Sequence, residues 1–254
     1  MARHLYRKRL HMKKIFYILI ICCGACTNTI NQDINKAELP SITLIDTFTN
    51  ELKPDTANHI TEAAFHPMYM GLEKDSIQLN YWSGDIDYKT QNWNAYKGAD
   101  SNDVSVFVDT SQVIGSVGRF HDIPPPALGE NTDEILERNY YRGETKSYPV
   151  FIKNLSSDTL QVGYGAFIPL LMEARDSLGN WKKIQEPFMY FCGTGLSHYY
   201  LPPNEIILTP CKLFAGDFKT TMRLTYGFGV NSKSSEFEGF INYSQFERFR
   251  EIYD

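Results

Sequence analysis

The chain has 254 residues, of which 25 are Lys or Arg and 30 are Asp or Glu, a formal net charge of −5. Six of the basic residues and none of the acidic ones precede Cys26, so the 229 residues from Cys26 onward carry 19 basic against 30 acidic side chains, about −11. A balance of that sign argues against nucleic acid or anionic lipid headgroups as partners, since both select for clustered Lys and Arg.

The first elements in chain order are those of an export signal. Arg3, Arg7, Lys8, Arg9, Lys13 and Lys14 precede the apolar run Ile15-Phe16-Tyr17-Ile18-Leu19-Ile20-Ile21, the layout of a secretory leader over 1–25. Even extended to Ala25, the run falls short of the roughly 20 residues a helix needs to cross a bilayer. Met12-Lys13-Lys14 would alone make a complete start, so both Met1 and Met12 are candidate initiators. Residues 26–59, rich in Asn, Thr, Asp and Lys with Pro40 and Pro54 and one brief apolar patch at Ile42-Thr43-Leu44-Ile45, read as a flexible tether that has room for one strand at its end.

From residue 60 the pattern turns to β. Ile77, Leu79 and Tyr81 alternate with Gln78 and Asn80, and Val104, Val106 and Val108 alternate with Ser105 and Phe107, a period of two that buries one face. Between them Trp82, Tyr88, Trp93 and Tyr96 are interleaved with Asp85, Asp87, Asn92 and Asn94. Flat rings beside amides and carboxylates suit a sugar- or peptide-binding patch; the competing expectation is that the rings cap the core. Pro124-Pro125-Pro126 and an acidic run interrupt the pattern, and 117–139 is either a long connection or a boundary between two subdomains.

Val150-Phe151-Ile152 leads into the turn Asn154-Leu155-Ser156-Ser157-Asp158, and Asp176-Ser177-Leu178-Gly179-Asn180, a polar glycine-containing turn of the kind that joins hairpin strands, connects two further strand-like runs. Leu201-Pro202-Pro203-Asn204 precedes Glu205-Ile206-Ile207-Leu208. Phe218, Thr220, Met222, Leu224 and Tyr226 then alternate with Lys219, Thr221, Arg223 and Thr225. Short strands at this spacing predict a mainly β fold over 60–243, an antiparallel sandwich of immunoglobulin-like or related type. Ser244-Gln245-Phe246-Glu247 has capping-box spacing and Phe246, Phe249 and Tyr253 share one helical face, predicting a short C-terminal helix over 244–254.

Cys23-Gly24-Ala25-Cys26 resembles the lipobox of bacterial lipoproteins, with Cys26 as the lipidated residue; the family's usual Leu is replaced by Cys23. The resemblance implies cleavage before Cys26, palmitate-class acyl chains and anchoring in the cell envelope, the outer membrane rather than the inner. Tyr69-Met70-Gly71, Asp75-Ser76-Ile77, Val150 to Leu160 and Leu201-Pro202-Pro203-Asn204-Glu205 are similar in pattern to uncharacterised lipoproteins of Bacteroidota-type bacteria. That resemblance implies export and anchoring and carries no activity. The uncharged run Thr27 to Gln32 lacks the charged signal that outward-facing members carry just after the cysteine.

With Cys22 and Cys23 in the leader and Cys26 lipidated, Cys192 and Cys211 remain, and an oxidising compartment predicts a disulfide between them. His59, His66, His121 and His198 lie on distant segments without HExxH or paired spacing, so no metal site is expected. Ser197 and His198 are sequence neighbours, poor geometry for a base to reach a hydroxyl. Asp85 and Asp87, or Asp100, Asn102 and Asp103, do not follow an EF-hand, and no phosphate-binding or dinucleotide fingerprint implies a cofactor. No catalytic residue is assigned. The functional expectation is a non-enzymatic module binding a protein or a glycan, for which a toxin-neutralising immunity lipoprotein with a basic partner would be one version. The alternative is a secreted hydrolase or carbohydrate-active enzyme, marked by titratable groups converging in a pocket, or a purely structural lipoprotein.

Overall fold

In the computed structural model, residues 41–46, 51–58, 60–63, 65–79, 97–116, 145–165, 167–187, 198–227 and 232–247 are described. The strands in chain order are β1 (Thr43–Ile45), β2 (Thr61–Glu62), β3 (Tyr69–Leu72), β4 (Ser76–Gln78), β5 (Lys97–Gly98), β6 (Val104–Val108), β7 (Ile114–Ser116), β8 (Thr145–Asn154), β9 (Leu160–Tyr164), β10 (Leu170–Arg175), β11 (Trp181–Lys183), β12 (Gln185–Glu186), β13 (His198–Leu201), β14 (Glu205–Lys212), β15 (Phe218–Tyr226), β16 (Ser232–Lys233) and β17 (Phe237–Ile241). The fold is mainly β, as the alternation predicts.

Two five-stranded antiparallel sheets carry it. One has the order β3-β14-β8-β6, with β7 also on β8; the other has the order β11-β10-β15-β16, with β17 also on β15. A third sheet, β13-β9-β5, pairs β13 antiparallel and β5 parallel to β9. The main core joins all three: Val106, Ile152 and Ile207 from the first sheet, Met172, Leu224 and Phe237 from the second, Leu160, Val162 and Tyr199 from the third. This is a sandwich held by opposed apolar faces.

The first sheet is covered on both sides. Ile207 and Cys211 of β14 face the main core, while Ile206 and Leu208 join a second cluster with Ile42, Met68, Ile77, Leu79 and Phe151. Unbroken apolar runs such as Ile206-Ile207-Leu208 are what such a doubly covered strand requires.

The cover comes from the segment read as tether. β1 pairs in parallel with β4, Ile42 is buried, and Gln112 takes the place of a neighbouring strand: its Oε1 accepts from Leu44 N at 3.2 Å and its Nε2 donates to Ile42 O at 2.9 Å. Lys53 and Asp55 make further bridges to Thr145 and Phe214. Residues 39–254 form one compact unit, so the expected tether does not extend to residue 59. The apolar patch at 42–45 is short, but it finds a buried site. The strands on either side of 117–144 also pair with each other, β6 and β7 with β8, which joins the flanking halves in one sheet.

The C-terminal expectation is corrected in part. Tyr243–Phe246 is a 3-10 turn, and the box partners are Asn242 and Gln245, the backbone N–H of Asn242 donating to Gln245 Oε1 at 2.9 Å. Asn242 also donates to Ala57 O at 2.8 Å, which ties this end to the segment before β2. Residues 248–254 lie outside the described residues.

The turn over 176–180 joins a true hairpin, β10 with β11, whereas the turn over 154–158 carries the chain from β8 in one sheet to β9 in another. In the β10–β11 turn, Asp176 accepts from Leu178 N and Asn180 N, each at 2.9 Å, and Gly179 has φ 81°. The backbone N–H of Asn180 chiefly, with Lys182, holds the Asp176 carboxyl below its ordinary range. Between β13 and β14, Glu205 N donates to Pro202 O at 3.2 Å and Asn204 has φ 61°. Pro203 and Asn204 are thus the residue types a type II turn requires at its two central positions.

Cys211 is a free thiol, fully buried among the side chains of the main core. The structure gives it no bridge to Cys192, which lies outside the described residues. Burial in this apolar setting pushes the thiol well above its ordinary range.

Candidate interaction surface

The outward side chains of β10, β11, β15, β16 and β17 build one continuous face. Alternation along β15 buries Thr220, Met222, Leu224 and Tyr226, which turns Lys219, Thr221, Arg223 and Thr225 outward. The registers then set the rows. Lys183, Glu173 and Arg223 lie side by side, Trp181 lies beside Arg175, Thr221 beside Glu238, Lys219 beside Phe240, and Leu171 with Thr225 and Lys233 completes the other end.

Trp181 stands on the edge strand β11 of this face. The Arg223 guanidinium carbon lies 3.9 Å from its ring centroid and that of Arg175 lies 4.6 Å away. Arg223 Nε donates to Glu173 Oε2 at 2.8 Å and its Nη2 lies 2.8 Å from the same oxygen. The side chains of Arg223 and Glu173 are only 15% and 16% exposed, so the pair is shielded more than an ordinary surface pair. Stack and pair together contribute on the order of 1–2 kcal/mol. Arg175 also reaches Glu236 at 3.3 Å, and Lys219 reaches Glu238 at 2.7 Å. The result is a pre-ordered arrangement of Trp and Arg, the residue types that dominate binding energy at protein interfaces.

At one end, the rings of Phe218, Tyr243 and Phe246 meet edge to face at centroid distances of 5.0, 5.3 and 6.2 Å, and Tyr243 Oη lies 2.9 Å from Ser177 Oγ. Leu178, at the tip of the adjoining turn, is 83% exposed. At the other end a shallow open cleft is lined by Tyr164, Phe167, Pro169, Leu171, Pro187 and Gly227. Burial pushes the Tyr164 phenol up, so it remains a protonated hydrogen-bonding group.

The residues singled out from sequence are distributed differently. Trp82, Tyr88, Trp93, Tyr96, Cys26, Cys192, Asp85 and Asp87 lie outside the described residues, as do His59, His121 and Ser197. His198 Nδ1 lies 2.6 Å from Gln161 Nε2 across the β9–β13 pair, and His66 is buried. Asp103 accepts from Lys97 Nζ and from Asp100 N, both at 3.0 Å, and these contacts hold its carboxyl below the ordinary range. Its oxygens thus serve the loop. Among the described residues no three His, Cys, Asp or Glu side chains are grouped to hold a metal, and no helix is long and apolar enough to cross a membrane.

Sequence reading missed Trp181, Arg175 and Arg223 as a unit. Each stands on a strand whose alternation is visible, but only the order β11-β10-β15 makes them neighbours. No known family, curated protein or solved structure matches the chain.

Proposed function

We propose that this is an exported, lipid-anchored protein of the bacterial cell envelope, at the outer membrane, whose β-sandwich is a non-enzymatic interaction module. Its partner is another protein, bound through the outer face of the β11-β10-β15 sheet. The observation that carries this reading is Trp181 held against the guanidinium groups of Arg223 and Arg175. A pyranose stacks on a free aromatic face, whereas this ring is already engaged by cations; the flat, ordered mixture of aromatic, guanidinium and carboxylate groups suits a protein surface better than a sugar.

Two measurements test the proposal. Intact mass on the protein from its native membrane, with alkylation before and after unfolding, is expected to show cleavage before Cys26 plus diacylglyceryl and acyl mass. Cys211 should resist alkylation until the fold is lost, because its buried thiol yields too little thiolate to react. An unprocessed N-terminus would overturn the anchoring.

For the binding face, a photo-crosslinking phenylalanine at Thr221, between Arg175 and Glu238, is expected to give a discrete protein adduct in the native envelope. The same group at Leu155, in the turn after β8, should not. Trp181→Ala should reduce the Thr221 adduct about tenfold, as loss of an interface anchor does. Equal labelling at Thr221 and Leu155, or no effect of Trp181→Ala, would sink the assignment of this face.

A further inference from the structure

The ion pairs of the Trp181 face leave a remainder of one sign. Glu173 is taken by Arg223, Glu236 by Arg175 and Glu238 by Lys219. Lys183 and Lys233, both exposed, have no carboxylate partner among the described residues. The face is therefore locally cationic on a chain that is acidic overall, opposite to the sign that composition alone suggests for a partner.

The position of these two ammonium groups makes the excess specific. Lys233 lies in the row of Thr225 and Leu171, and Lys183 lies one row along, beside Glu173. They occupy the two flanks of the four-strand order β11-β10-β15-β16, roughly 15 Å apart at about 4.8 Å per strand. Leu171, in the row of Lys233, forms one wall of the apolar cleft, which opens past that row between Pro169, Pro187 and Gly227. Beyond the cleft, Glu62 and Glu186 oppose each other in the parallel β2–β12 pair.

We propose, building on the protein-binding reading above, that the partner is an acidic protein segment that seats one apolar side chain in this cleft and places carboxylates on Lys183 and Lys233. In an extended segment the roughly 15 Å between lysines corresponds to about four or five residues. The recognised pattern is then two acidic residues about that far apart with an apolar residue between them. The cleft supplies the desolvated anchor, and the lysines supply steering and register.

The test uses the full-length chain in detergent and three fluorescent pools of capped nonapeptides with a fixed central leucine, whose flanking positions are acidic, basic or neutral. Anisotropy is expected to show salt-sensitive binding of the acidic pool, at least tenfold tighter than the other two. Replacing the central leucine by serine should weaken it several-fold. The double variant Lys183→Glu, Lys233→Glu, exposed and so expected to keep the parent thermal midpoint, should invert the preference toward the basic pool. Indifference of all three pools, or an unaltered preference in the double variant, would overturn the proposal. The Thr221 adduct separates the two readings: an adduct that forms in the envelope while the pools show no preference retains the face and rejects acidic recognition. Loss of both rejects the face itself.

Discussion

Among the described glycines, Gly216→Ala is expected to be the most damaging single-methyl change. A Cβ at position 216 would overlap the backbone of Ile241 and Asn242. These atoms cannot yield as a flexible side-chain end can. Ile241 closes β17 in the main core, and Asn242 ties the chain end to Ala57, so accommodating the methyl means moving β17 off β15. Overpacking against fixed backbone puts the cost at about 3–5 kcal/mol, a fall in thermal midpoint on the order of 10 °C for a chain of this size. Gly239→Ala is the control. Its methyl would meet the thioether of Met222, which can rotate away, and the cost should be nearer about 1 kcal/mol. Equal midpoints for the two variants, read by calorimetry or circular dichroism, would show that the Gly216 approach is not a constraint.

Asn154→Leu is expected to follow closely. Asn154 is wholly buried and its side-chain amide is fully used: Nδ2 donates to Asp158 O and Leu201 O, each at 2.8 Å, while Oδ1 accepts from Ser156 N and Ser156 Oγ, both also at 2.8 Å. One side chain therefore closes the β8–β9 turn and ties it to the end of β13. Leucine has similar volume but makes none of these four hydrogen bonds, a loss of about 3–4 kcal/mol. Asn154→Asp separates hydrogen bonding from shape. It keeps the acceptor but turns a carboxylate toward two carbonyl oxygens, which favours the protonated form in the folded state. A raised folded-state pKa means that this variant is most stable in acid and loses stability as pH rises through the ordinary carboxylate range. A Leu variant within about 1 kcal/mol of the parent, or an Asp variant with no such pH dependence, would contradict this role.

The turn at Asn154 and the strand over 218–226 were legible because their signals are local. Asn and Ser beside Asp form turns through their own side chains, and a period of two survives whichever strands become neighbours. The same alternation placed Thr221, Arg223 and Thr225 on the outer surface. The C-terminal turn was legible only in part, since Asn242 competes with Ser244 as the cap and is held by Ala57, far away in sequence.

How firmly the segment around β1 is held was not legible, for a related reason. A four-residue apolar patch cannot bury itself, and nothing near it reveals that Gln112 and β4 will receive it. Cys211 is similar. Cysteine arithmetic names a pair, while the structure describes a thiol enclosed among core side chains.

By itself, then, the sequence determined the β class, the strand periods, the turn chemistry and which face of each long strand is polar, because these depend on residues close together in the chain. The tertiary structure alone decided which polar faces would adjoin. Glu173, Trp181 and Arg223 become one stack only when β10 lies between β11 and β15. Lys183 and Lys233 come to the two flanks of one face only through the same order. Strand order is set by long-range burial of the opposite, apolar faces, and the face that carries the candidate site follows from packing in which it takes no part.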